Sequence, residues 1–247
     1  MSIESQWRST RKHTDLAQRV VVRPQSLTWH QTDYPGIRFG CFESNPDLQD
    51  HPVTMLTQFE PGGFFPRHGH PGGEEVLVLE GQFEDETGVH GPGTFMLNPE
   101  GFNHRPYSAK GCLTFVKLRQ HGGETRKQIK TNIFQADWQP TAHPRISRQF
   151  LYEQPNYTEK VWTERWDACT HLTTVTESLV KEIYIVKGNY GDAQGSYPQG
   201  TWLRYPPHLP YQPFSESGCL LYIKTYPAAY SPRFIVGGDF HHPLETL

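Results

Sequence analysis

The chain reads as all-β, organised as two barrel-like halves in tandem, and three observations carry that reading. Glycine (22) and proline (21) are frequent and aromatics make up 13% of the 247 residues, while no long stretch shows helical periodicity. Such a composition suits many strands joined by tight turns. Short apolar or alternating runs, bounded by Gly, Pro, Asn and Asp, recur along the chain. The second half also repeats the first with a shift of 107. Laying Glu75 to Lys117 over Glu182 to Lys224 without a gap gives 13 identities in 43 positions. Gly81 meets Gly188, Gly88 meets Gly195, Gly93-Thr94 meets Gly200-Thr201, Pro99 meets Pro206, and Gly111-Cys112-Leu113 meets Gly218-Cys219-Leu220. The turns are kept, so the barrel should be kept.

Taken in order, residues 1–20 are polar and mixed in charge, an arm that orders only by packing on something. Residues 21–125 are expected to form the first barrel and 133–247 the second with a C-terminal tail; each is long enough to bury a core. Val20-Val-Val-Arg23 is the first strand candidate, followed by Ile37 to Glu43 and Val53 to Glu60. Pro61-Gly62-Gly63 turns the chain, Val76-Leu-Val-Leu79 reads as a buried strand, and Gln82 to Asp85 and Thr94 to Leu97 continue the barrel. Cys112 to Leu118 should complete it. Residues 119 to about 132 are charged and Gly-bearing and read as a linker. In the tail, Phe234, Ile235 and Phe240 are expected to clasp the two barrels.

The stretch from Gly62 to His104 concentrates the chemistry. His68 and His70, two apart on an extended chain, point the same way and can share one ion. Pro71-Gly72-Gly73 cannot continue a regular strand, so the chain bends there and returns Glu74 or Glu75 towards the same point. Pro99 and Gly101 mark another turn, beyond which His104 arrives from a neighbouring strand. Imidazole and carboxylate together suit zinc, iron(II), manganese, nickel or copper, and affinity alone does not choose among them.

The spacings Gly62-x5-His68-x-His70-x3-Glu74-x6-Gly81 and Gly93-x5-Pro99-x-Gly101-x2-His104 resemble the two signature motifs of the cupin superfamily. The second motif usually continues to an Asn four residues after its His, where this chain has Ser108. The wording Pro-Gly-Gly-Glu-Glu-Val-Leu-Val-Leu-Glu-Gly, with the lead-in Trp29-His-Gln-Thr-Asp33-Tyr-Pro-Gly36, is similar to the ChrR-type cupin domain in particular. The resemblance implies two tandem cupin (double-stranded β-helix, jelly-roll) barrels. It implies His68, His70, Glu74 and His104 as ligands of one divalent transition metal, Fe(II) or Zn(II) first, with Mn or Ni as further candidates. Glu74 is preferred over Glu75 because it keeps six residues before Gly81, and Glu75 would then face the other way. In the second half Glu74 falls on Lys181 and His104 on Tyr211, and the region from Thr173 to Glu177 has no histidine. The second barrel is therefore expected to hold no metal and to serve as a packing partner.

Two functions follow as expectations. One is a mononuclear dioxygenase-like metalloenzyme acting on a small chelating substrate such as a diketone or hydroxyketone, with Glu74 as a fourth ligand or a base. The other is a regulatory cupin sensing an oxidant or ligand. In ChrR-type anti-sigma factors the cupin follows a zinc-binding helical domain, which this sequence is expected to lack, having no cysteine before Cys41.

Other residues carry quieter expectations. His90 should be solvated in its turn; His171 and His208 with Glu182 and Tyr211 offer a second polar pocket, but a cluster without ordered spacing reads as a rim; His241-His242 read as exposed. Cys41, Cys112, Cys169 and Cys219 form no CxxC pair and read as reduced, packed thiols of a cytoplasmic protein. Met96, Asn98 and Phe102 are placed near the metal's mouth, and Met55, Thr57 and Phe59 on one barrel wall. A net charge of -3 without a basic cluster argues against nucleic acid, and the absence of a long apolar run against a membrane. Partners are thus a small molecule and barrel on barrel within the chain, with a homodimer left open.

Overall fold

A computed structural model describes residues 11–45, 47, 51–123, 125–135 and 137–229. The proposed clasp residues Phe234, Ile235 and Phe240, and His241-His242, lie outside them. Among the described residues there is no α-helix, only a short 3-10 turn at Pro24–Ser26, and no helix is long and apolar enough to cross a membrane.

Strand faces explain the two barrels. Along Glu74–Gly81, Val76 and Val78 join the interior of the first barrel with Met55 and Val116, while Leu77 turns the opposite way. Leu77 meets Phe95, Phe115, Tyr184 and Trp202 in a core that draws on both halves. The second barrel has its own interior around Ile183, Leu203 and Ile223. Period-two alternation thus builds three cores, one in each barrel and one between them.

The sheets mirror one another. The first runs Ile129–Asn132, Thr94–Asn98, Glu74–Gly81, Cys112–Leu118, Val53–Phe59, Ile37–Glu43 and His30–Gln31. The second runs Val20–Val22, Trp202–Tyr205, Val180–Asp192, Cys219–Tyr226, Lys160–Trp166, Ile146–Tyr152 and Gln139–Pro140. Smaller sheets close each barrel. Gly81 and Gly188 show why the repeat keeps its turns. Both have positive φ, and a Cβ would come within 2.0 Å of the Gly111 carbonyl oxygen and 2.2 Å of that of Gly218. No other residue fits either position.

The two outer strands depart from the sequence reading. Val20–Val22, read as the first barrel's opening strand, pairs with Trp202–Arg204 of the second half. Ile129–Asn132, read as linker, pairs with Thr94–Leu97 of the first. Each covers an edge strand whose backbone would otherwise stand unpaired. The rest of the supposed linker is structural too, since Arg119, Gln120 and His121 are buried. From residue 11 the arm packs as well: Lys12 and Ser44 exchange backbone hydrogen bonds, and Arg19 donates to Asp192 and Tyr197.

Truncation after Lys130 is therefore expected to leave an aggregating fragment. It would bare the apolar face carrying Leu77, Phe95 and Phe115 and leave Val20–Val22 without its partner. A soluble, monomeric fragment in size-exclusion chromatography would show that the first barrel stands alone.

Candidate metal centre

Three local features bring the cluster together. His68 and His104 pair across a two-stranded sheet. The His70 N–H donates to the Phe102 carbonyl at 3.2 Å, seating the second imidazole beside the first. Gly72 and Gly73, both at φ 73°, then bend the chain so that the Gly73 N–H donates back to His70 and Glu74 starts its strand opposite Asn98. Glu74 lies on the inward face with Val76.

The donor atoms converge. His70 Nε2 and His104 Nε2 are 2.9 Å apart, and Glu74 Oε2 lies 3.6 and 3.7 Å from them. One ligand atom from each of His68, His70 and His104 lies within 4.8 Å of the others, so this three-histidine cluster can hold a metal ion. Two ligand atoms each about 2.1 Å from one ion stand roughly 3.0 Å apart at a right angle and roughly 3.4 Å apart at the tetrahedral angle. The His70–His104 spacing fits the right angle, and Glu74 Oε2 stands slightly wider than the tetrahedral spacing from both.

Hydrogen bonds set the orientation of the ligand atoms. His68 Nδ1 pairs with the Pro66 carbonyl at 2.8 Å and His104 Nδ1 with Asp85 Oδ2 at 3.2 Å. Each leaves Nε2 with its lone pair for an ion. Asp85 also receives His90 Nε2 at 3.1 Å and the Thr87 hydroxyl and amide. Asn98 Nδ2 donates to Glu74 Oε2 at 3.1 Å, and Gln128 Nε2 donates to Asn98 Oδ1 at 3.1 Å. Burial pushes the Glu74 carboxyl up. Burial and the neighbouring His70 push His68 down, which favours the neutral imidazole that metals bind. Burial opposes the charge on His104, but Asp85 and Glu74 outweigh it and raise that pKa.

The structure brings His68, His70, Glu74 and His104 together and sends Glu75 to the opposite face. There Glu75 meets His121, Lys224 and Tyr222. Phe102 lies edge-on to His104 at 5.2 Å, and Met55, Thr57 and Phe59 line a cavity of about 30 Å³ beside His68 and His70. His90 corrects the sequence reading. It is 2% exposed, because its hairpin pairs it with Phe83 and turns the ring onto Asp85. His171 and His208 are exposed, and Glu182 points away from them to Lys117. Cys169 is exposed, unlike the other three cysteines. Burial pushes the Cys112 thiol up to about 11 and that of Cys219 to about 12, as inert packing groups require. Sequence reasoning missed Asp85 and Gln128. Asp85 had a signal, being one of the identities of the repeat, opposite Asp192.

Two jelly-roll barrels in tandem, the first with an inward His and Glu cluster, define a two-barrel cupin. The chain belongs to the ChrR Cupin-like domain family, which matches residues 17–122 and again 126–229. It is 30% identical over 96 residues to the anti-sigma-E factor ChrR of Cereibacter sphaeroides, a match covering 39% of this chain and 43% of that protein. The chain thus spans less than half the length of that relative. A crystal structure from Nostoc punctiforme, whose description proposes a dioxygenase, superposes with a TM-score of 0.74 at 10% identity, over 92% of this chain and 88% of that one. A salicylate 1,2-dioxygenase of Pseudoaminobacter salicylatoxidans, in complex with gentisate, superposes with a TM-score of 0.59 at 12% identity, over 87% and 83%. At such identities the structural likenesses show the fold.

Proposed function

We propose that the first barrel binds one divalent transition metal through His68, His70 and His104 and is the active centre of a dioxygenase-type oxidoreductase acting on a small chelating substrate. The observation that carries this reading is the convergence of three imidazoles and a carboxylate, with the far nitrogens of His68 and His104 held by Pro66 and Asp85 and the converging Glu74 oxygen held by Asn98. A bound ion would supply a Lewis acid for a chelating carbonyl and, as Fe(II), a redox centre for oxygen. The chain's own residues shape the rest. The cavity beside the cluster, about 30 Å³, takes little more than one or two water-sized groups, so a substrate has to reach the cluster past the half-exposed His68 with only its chelating oxygens inside. Apolar walls at Phe59, Phe65 and Val116 keep bulk water out. Glu74, with its pKa raised by burial, is placed to take a proton from an acidic C–H next to a carbonyl. A diketone or hydroxyketone has that proton and that chelate. The two dioxygenase-named neighbours are consistent with this chemistry.

In an iron-loaded sample, Glu74→Gln is expected to keep near-parental metal content while oxygen uptake with pentane-2,4-dione falls by roughly 10²- to 10⁴-fold, the usual contribution of a general base. An iron-loaded parent that takes up no oxygen with any small diketone or hydroxyketone would rule the reading out. Loss of metal in Glu74→Gln would instead make Glu74 a ligand. The second reading, a sensor in the cytoplasm, rests on the similarity to ChrR; it requires peroxide or singlet oxygen to change metal retention.

A further inference from the structure

A cavity of about 490 Å³ lies inside the second barrel, in the place the metal cluster takes in the first. The shift of 107 relates their walls: Val76, Phe83 and Val116 line one space, and Ile183, Tyr190 and Ile223 line the other. The donor positions correspond as well. Val175 bridges Tyr211 as His68 pairs with His104, and Glu177 and Lys181 stand where His70 and Glu74 stand in the first barrel. One apolar side chain and one ammonium among four positions do not make a metal site.

What remains is chemistry for an anion. Glu164 replaces Thr57 but is already occupied. Its Oε1 accepts from Arg148 at 2.6 and 3.0 Å and from Trp162 Nε1 at 3.0 Å, and its Oε2 accepts from Trp166 Nε1 at 2.9 Å. Lys181 is held less completely. Its side chain is 13% exposed, and its ammonium donates to Glu177 Oε1 at 2.7 Å beside the Tyr211 hydroxyl. An ammonium carries three donors, so two such partners leave one for a ligand. Glu177 is 31% exposed and can swing to water at little cost. Tyr211 and Glu177 outweigh the effect of burial and keep Lys181 charged.

We propose that the second barrel binds a small organic carboxylate, its head replacing Glu177 on Lys181 and Tyr211 and its apolar body lying against Ile183, Leu221, Ile223 and Trp166. The volume lies in the range of small-molecule sites. A cationic ligand would meet Lys181 and Arg148 as repulsive neighbours, with Glu164 already neutralised. Binding here does not depend on a metal in the first barrel.

The test uses the full chain treated with chelator. Benzoate, phenylacetate and hexanoate are titrated by calorimetry and by tryptophan fluorescence, since Trp162 and Trp166 adjoin the site, with benzamide and benzylamine as neutral and cationic matches. The carboxylates are expected to bind better than benzamide, and benzylamine not at all. Lys181→Met should weaken binding at least tenfold, and Glu177→Gln, by removing the competing carboxylate, should tighten it severalfold. His104→Ala should change neither. No binding by any of the three acids, preference for the amine, or weaker binding in Glu177→Gln would overturn the proposal. Should Lys181→Met fail to fold, the half-exposed Glu177→Gln still gives the deciding sign.

Discussion

A His104→Ala variant is expected to purify with less than about a tenth of the metal held by the parent chain, measured by elemental analysis on protein prepared without a metal-affinity tag. The size of the effect follows from the geometry. His104 Nε2 is 2.9 Å from His70 Nε2 and 3.7 Å from Glu74, so its removal opens one side of the cluster and leaves donors that no longer surround an ion. Asp85→Asn is the finer probe. It keeps the size of the side chain but weakens the acceptor that fixes the His104 tautomer, and it should lower metal affinity by roughly 10- to 100-fold. Asp192→Asn, its counterpart in the second barrel, touches Tyr197, Tyr205 and Arg19 and should leave metal content unchanged. Near-stoichiometric iron in the parent would lead to oxygen-uptake assays, and zinc alone would favour sensing or non-redox chemistry. No metal in either the parent or His104→Ala would mean the cluster survives as architecture.

The four clustered side chains were legible in the sequence because strand facing is a local property. His68 and His70 share a face by their spacing, and the Gly72-Gly73 turn fixes Glu74 within a few residues of them. Asp85 was legible in principle, since a repeat that discards its ligands but keeps Asp85 as Asp192 marks that carboxylate as part of the hairpin. Partner choice was not legible. Val20–Val22 and Ile129–Asn132 are short strands that fit either sheet, and only the assembled edges decide which. His121 likewise lay in a polar stretch opposite Ala228, with no periodic signal. Its burial depends on the second barrel covering it.

Glu75→Gln is expected to destabilise the protein by about 3–5 kcal/mol, a fall on the order of 10 °C in the midpoint of thermal unfolding. Glu75 and Lys117 in the first barrel correspond to Glu182 and Lys224 in the second, and the pairs are exchanged across the interface. Lys224 bonds Glu75, and Lys117 bonds Glu182. Both lysines are 0% exposed, so removing one carboxylate strands an ammonium away from water. Glu153→Gln, which breaks an exposed pair with Lys160, should cost about 1 kcal/mol or less. Acid should act through the same carboxylates. Burial alone would raise the pKa of Glu75, but Lys224 and His121 hold it well below the ordinary 4.5, and His121 and Arg126 hold Glu159 at about 2. The unfolded chain therefore takes up these protons first. Stability is fully present above about pH 4.5 and falls as pH drops towards 2, with a shallower slope in Glu75→Gln. Replacing Glu75 and Lys224 together by methionine should recover most of the loss, leaving the part due to Tyr222 and His121. Such a recovery would show that these charges fix the register of one barrel on the other rather than its strength. A double variant as unstable as Glu75→Gln would give the pair a net stabilising role.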